Sequence, residues 1–132
     1  MTSIFSKISS RDIPAYIIAE NDFFLAILDI NPLVKGHTLV FPKKEQDYIF
    51  DLENNELESM IVFAKKVSIQ LKKTIPCRRI GVSVIGLEVP HAHIHLIPIN
   101  SIDDMNFSKS KLSFTPTEMT ELQNLILSVS YL

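Results

Sequence analysis

Two periods of hydrophobicity alternate along the chain, and the switches between them mark out its elements. Ile4 to Ile8 is expected to form a short helical turn, ended by Ile13-Pro14. Ala15 to Glu20 and Phe23 to Asp29 are apolar runs of strand length, separated by the turn signal Asn21-Asp22, so they should pair as an antiparallel hairpin. A loop follows, marked by Asn31-Pro32 and Lys35-Gly36, and then a third strand, His37 to Phe41, stopped by Pro42. From Asn54 to Thr74 the period changes: Leu57, Met60, Ile61, Ala64, Val67 and Leu71 share one face of a long helix with Asn54 as N-cap. Val62, Phe63 and Ile69 lie off that stripe, in partial exposure or in a second buried contact such as a subunit interface. Arg79 to Ile85 and His91 to Ile99 read as two further strands, joined by Gly86-Leu87-Glu88-Val89-Pro90. Thr115-Pro116-Thr117-Glu118 forms a capping box ahead of a helix to about residue 131, with Met119, Leu122, Leu125, Ile126 and Val129 as its apolar stripe.

Strands grouped on either side of one helix favour an α+β fold over a βαβ fold. The expectation is a largely antiparallel sheet of about five strands with one long helix and a C-terminal helix. At 132 residues, positions 1–132 suffice for one domain. The 46% hydrophobic and 21% charged content is that of a folded chain, and a net charge of -2 argues against a binder of nucleic-acid polymers or anionic membranes. A single cysteine, Cys77, excludes an internal disulfide or a multi-cysteine metal site. No apolar run suits a signal peptide or a membrane span, so a soluble cytoplasmic protein is expected.

The chemistry concentrates at His91-Ala92-His93-Ile94-His95-Leu96, which holds three of the four histidines. On a strand the side chains alternate, so the three imidazoles share one face and Ala92, Ile94 and Leu96 the other. Three readings are compatible with this pattern. The histidines are satisfied structural residues on a half-exposed strand; or two of them hold a metal with help from His37 or Glu88; or one imidazole attacks a phosphate while its neighbours donate hydrogen bonds to the phosphoryl oxygens. The outer two rings sit roughly 13 Å apart along a straight strand, which disfavours all three on one ion.

His91-x-His93-x-His95 followed by Leu96-Ile97-Pro98 resembles the histidine triad of the HIT family. The resemblance extends in order through Ile4-Phe5-Ser6-Lys7-Ile8, Asp12-Ile13-Pro14-Ala15, Phe24 to Pro32 and Gly36 to Lys44, and covers about residues 4–99. It implies a HIT-like fold, with residues 115–131 as a helical extension, and hydrolysis or transfer of a nucleotide through a histidine–nucleotide intermediate, without a cofactor or metal. The substrate class is a nucleoside phosphoramidate or a dinucleoside polyphosphate. Its residue roles make His93 the nucleophile, with His91, His95 and His37 around the phosphate. Asp29 would hold the ribose, and Phe5, Ile13, Ile27 and Ile30 would sandwich the base. The residues alone allow plain core packing for the apolar four and a turn role for Asp29. The family precedent is a homodimer.

The loop before the triad departs from the family pattern. Ser83 stands where many members carry Asn, Leu87 replaces a Gln, and Glu88 stands where Ser or Thr often meets the phosphate or leaving group. Ile99 stands where many members carry Arg. These changes fall on the leaving-group side. They motivate two alternatives: a nucleotide-binding regulatory protein with little catalysis and, from the histidines, a metal enzyme. Pro90 also lets Glu88 turn toward the triad as an orienting carboxylate, against a plain solvated loop residue.

Overall fold

The computed structural model describes residues 2–129. Helix α1 (Ile4–Ser9) is followed by strands β1 (Ile17–Glu20), β2 (Phe24–Leu28) and β3 (Thr38–Pro42), helix α2 (Asn54–Thr74), strands β4 (Arg79–Ser83) and β5 (Ile94–Ile99), and helix α3 (Pro116–Leu127). The strands form one antiparallel sheet in the order β1-β2-β3-β5-β4. The β1–β2 hairpin turns at Asn21, whose side-chain oxygen accepts from the amides of Phe23 (2.9 Å) and Phe24 (2.8 Å).

Period-2 alternation divides the sheet into two apolar layers. Phe24, Ala26 and Leu28 of β2, Val40 of β3, and Ile94 and Leu96 of β5 pack against α2 and α3. Leu25 and Ile27 of β2 and Leu39 and Phe41 of β3 face the other way, where Phe5 and Ile8 of α1 cover them. Phe5 stacks on Phe41 with centroids 4.4 Å apart.

Several details differ from the pattern reading. On α2, Ile61 is 51% exposed and Phe63 is buried. At about 100° per residue, Phe63 lies roughly 60° to one side of Met60, between Val67 and buried Gln70, while Ile61 lies roughly 100° to the other side. Leu125 of α3 is exposed for the same reason, being about 100° from buried Ile126. The N-cap of α2 is Glu53 rather than Asn54, because Glu56 reaches back to the Glu53 amide at 3.1 Å. Helix α3 has the expected box, Thr115 accepting from the Glu118 amide and Glu118 from the Thr115 amide, and ends at Leu127. Positions 130 and 131 of the expected helix lie outside the described residues. Strand β4 ends at Ser83 and β5 begins at Ile94, because residues 84–93 run as a loop through Pro90.

Gly36, one residue before His37, has φ +91°. A Cβ there would clash with Ile75 Cδ1 and lie 3.3 Å from Pro98 Cγ. A left-handed alanine costs about 1–2 kcal/mol and overpacking about 1–3 more, so Gly36→Ala should destabilise the fold by about 2–5 kcal/mol. Denaturant titration checks this as a lowered midpoint at unchanged slope.

Candidate active site

The site lies on the sheet face opposite α2. Ala92, Ile94 and Leu96 sit in the core on the helix side, which turns the alternate residues His93 and His95 to the face lined by Phe5 and Leu39. His91 and His93 precede the strand ladder. The Ala92 amide donates to the Gln46 carbonyl (2.6 Å) and the His91 amide to the Val89 carbonyl (2.8 Å), so loop partners replace strand partners there. The alternation nevertheless continues. His91 and His93 both meet the edge of Phe5, at 5.6 and 5.1 Å between centroids, and the rings of His93 and His95 are 4.9 Å apart.

Backbone groups that do not ionise set the imidazole tautomers. The Leu33 amide donates to His37 Nδ1 (3.0 Å), so His37 carries its proton on Nε2 and donates to His95 Nδ1 (2.9 Å). His95 must then carry its proton on Nε2. His93 Nδ1–H donates to the His91 carbonyl (2.7 Å), which leaves His93 Nε2 as a lone pair. His91 Nε2–H donates to the Pro42 carbonyl (2.7 Å), and its Nδ1 lies 2.6 Å from the Ser3 hydroxyl. Six of the eight ring nitrogens are thus engaged within the protein. Among the described residues, the nitrogens without a protein partner are Nε2 of His93, a lone pair, and Nε2 of His95, an N–H.

Burial pushes three of the rings below the ordinary imidazole value of 6.5: His37 to about 3, His95 to about 4, and His93 in the same direction. Neighbouring imidazoles add to the shift, while the His91 carbonyl and the charge of Glu88 oppose it at His93. All three rings are therefore neutral at pH 7.

Asp29 follows β2 directly. Its Oδ1 accepts from the Asn31 amide (2.9 Å), and its Oδ2 lies 3.7 Å from His37 Nε2. Burial raises its pKa, and the Asn31 amide opposes the rise. Phe5 and Ile27 are buried in one apolar cluster, with Ile13 half-buried against it; Ile30 is 63% exposed on the loop beyond. Ser83 stands opposite His95 in the β4–β5 ladder, on the same face. Glu88 is exposed on its loop, and its charge reaches His93 and Asp29 through space. The carboxylate in contact with a triad ring is instead Glu45, with Oε2 3.2 Å from His91 Nδ1.

Sequence reasoning missed two residues on the segment between β5 and α3. Phe107 sets its ring edge-on to His95 (5.0 Å) and to His37 (6.3 Å). Lys111 donates to the Phe107 carbonyl (2.8 Å), and its ammonium acts on Asp29, His37 and His95 through space. The Leu112 amide ties the segment down by donating to the Pro32 carbonyl (2.8 Å). Nothing periodic marks this strap, because its residues belong to no strand or long helix.

Among the described residues, no three His, Cys, Asp or Glu side chains converge as a metal-holding group, and no helix is long and apolar enough to cross a membrane.

A five-stranded antiparallel sheet carrying alternating imidazoles at the start of an interior strand, with a fourth histidine bonded to the last of them, defines a histidine-triad protein. The chain belongs to the HIT family, whose domain model matches residues 10–102. An uncharacterized HIT-like protein of Borreliella burgdorferi is 35% identical over 127 residues, covering 90% of this chain and 91% of that one. Adenosine 5'-monophosphoramidase of Schizosaccharomyces pombe is 35% identical over 103 residues, covering 74% of each chain. The crystal structure of a Hit-like protein involved in cell-cycle regulation from Bartonella henselae superposes with a TM-score of 0.81 at 29% identity, covering 96% of this chain and 95% of that one.

The depressed histidine pKa values carry a sign. As pH falls through 6.5, the unfolded chain binds protons that the folded site refuses. This contribution to stability is full above 6.5 and is lost as pH falls toward 4, where the folded ring of His95 protonates. Denaturant midpoints should therefore drop between pH 7 and pH 5, and drop less in His37→Gln.

Proposed function

We propose that this protein is a nucleotide phosphohydrolase or nucleotidyl transferase. Its substrate is a nucleoside phosphoramidate or a dinucleoside polyphosphate, cleaved through a His93–nucleotide intermediate. The observation that carries this reading is the pairing of an unengaged lone pair on His93 with an unengaged N–H on its neighbour His95. His93 Nε2 attacks phosphorus, an N–P bond forms, and the bond to the leaving nitrogen or oxygen breaks with its electron pair. The leaving group takes its proton from solvent. His95 Nε2–H donates to a phosphoryl oxygen as charge develops, and His37 holds His95 in the tautomer that can do so. Water then attacks phosphorus, releasing the nucleoside monophosphate and restoring neutral His93.

Both His91 nitrogens are occupied, so His91 serves through its carbonyl, which orients the nucleophile, rather than by touching phosphate. Asp29 binds the ribose. Phe5, Ile13 and Ile27 form the apolar floor for the base, with Ile30 at the rim. Ser83 and Glu88 border the leaving group, and Phe107 closes the side next to His95. The activity named for the Schizosaccharomyces pombe relative supports the phosphoramidate as the first substrate to test.

β4 is an edge of the sheet, and Val82 on it is 55% exposed, followed by exposed Val84, Ile85 and Leu87. An apolar edge strand is a template for pairing, so the protein assembles as a homodimer through this edge. Light scattering at micromolar concentration should give twice the chain mass, and the chain mass for Val82→Lys.

His93→Ala should lose turnover by about 10³-fold or more, as nucleophile removal does in other covalent mechanisms, while keeping monophosphate affinity. Mass spectrometry after brief incubation with an adenosine phosphoramidate should show a nucleotide adduct on the parent and none on the variant. Monophosphate binding without turnover over a panel of nucleotide conjugates would make the protein a regulatory binder instead. Phe107→Ala should raise KM more than it lowers kcat.

A further inference from the structure

The polar cluster behind His91 lies outside the nucleotide site and is closed by hydrogen bonds among Ser3, Ser6, Glu45, Pro42 and His91. His91 Nε2–H donates to the Pro42 carbonyl (2.7 Å); in the singly protonated ring Nδ1 is then an acceptor, and the Ser3 hydroxyl, 2.6 Å from it and 3.2 Å from Glu45 Oε2, donates to the nearer of the two. Ser3 is 7% exposed and His91 fully buried, so water does not substitute readily for either partner. Ser3 Oγ in turn accepts from the Ser6 amide (3.1 Å) as the cap of α1. Glu45 holds this turn in place. Its Oε1 accepts from the Ser3 amide (2.7 Å), and its Oε2 accepts from the Ser6 hydroxyl. Glu45 lies three residues past Pro42, and Gln46 accepts the Ala92 amide (2.6 Å). One short stretch of chain therefore grips both the N-terminal turn and the peptide that leads into His93.

We infer that Ser3 and Glu45 are positioning residues for the nucleophile. The Ser3 hydroxyl, anchored by Glu45, locks the ring and tautomer of His91. The locked His91 holds its own carbonyl where it captures His93 Nδ1–H, and so keeps the His93 lone pair on Nε2. The N-terminal turn thereby positions the nucleophile, although it touches no substrate. Phe5, two residues on, adds a steric stop against the His93 ring at 5.1 Å.

This inference rests on His93 being the nucleophile, and two readouts keep the failures apart. Nitrogen-15 NMR of the histidine rings in the resting protein needs no substrate. It should show His91 protonated on Nε2 with a hydrogen-bonded Nδ1, and His93 protonated on Nδ1. Ser3→Ala should move the His93 ring signals toward a mixture of tautomers. It should also lower kcat for an adenosine phosphoramidate about tenfold or more, with KM and monophosphate affinity within about twofold, the pattern expected when an orienting partner is lost. Ser3→Thr, which keeps the hydroxyl, should restore parent kcat and ring signals. Glu45→Ala should act in the same direction as Ser3→Ala.

Parent kcat and parent His93 signals in Ser3→Ala overturn the inference, as does equal impairment of Ser3→Ala and Ser3→Thr. Where the variants do not fold, the parent spectrum decides: His91 protonated on Nδ1 alone overturns it. A parent chain with the expected ring signals but no turnover on any nucleotide conjugate sinks the proposed reaction and leaves the tether standing.

Discussion

The burial of three apolar side chains, Ala92, Ile94 and Leu96, between the sheet and α2 determines everything at the histidine face. The strand repeat is two residues, so placing these three in the core leaves one orientation for His93 and His95. A slip of one residue would expose Ile94 and Leu96 at a cost of about 1.5–3 kcal/mol each. It would also bury imidazoles among aliphatic groups without partners, each at about 1–3 kcal/mol. Both terms have the same sign, so the register that presents the histidines is the one that the hydrophobic core already demands.

With the rings placed, neutral backbone groups rather than charges decide their protonation pattern. The Leu33 amide, the His91 carbonyl and the Pro42 carbonyl set His37, His93 and His91 in turn. Such partners carry no net charge into a buried pocket and so avoid the desolvation that a buried carboxylate would bring. Burial then lowers the affinity of His37, His93 and His95 for a second proton. The carboxylates stay at the margins. Asp29 is held by the Asn31 amide, and Glu45, itself exposed, meets the triad at the edge of the His91 ring and through Ser3 and Ser6.

Alternation and helical periodicity made most of this architecture legible in the sequence. The limits of α2, the β1–β2 hairpin, the capping box of α3 and the shared face of the histidines all follow from local rules that tertiary contacts reinforce. Misreadings occurred where a local rule had two solutions. Ile61 and Phe63 are equally apolar, and the sheet beneath α2 decided which of them went inside. The residues from His91 to His93 keep strand parity but bond to loops, because Gln46 and Val89 supply the acceptors that a neighbouring strand otherwise would. Glu88, near the triad in sequence, is exposed on its loop and acts on His93 and Asp29 through space. Glu45, distant by 46 positions, arrived because Pro42 ends β3 beside His91. Phe107 and Lys111 left no periodic trace, since a strap crossing a site is specified by contacts between distant segments rather than by spacing.

The His37–His95 pair has a closed end. Its inner terminus is the Leu33 peptide N–H, which is bound to His37 Nδ1 and does not ionise at physiological pH. A hydrogen bond from the outer nitrogen of His95 to a phosphoryl oxygen can polarise His37 and the Leu33 peptide behind it, but it draws no proton out of that peptide. The pair is a fixed dipole rather than a wire, and it meets the charge gathering on a phosphoryl oxygen by orientation alone.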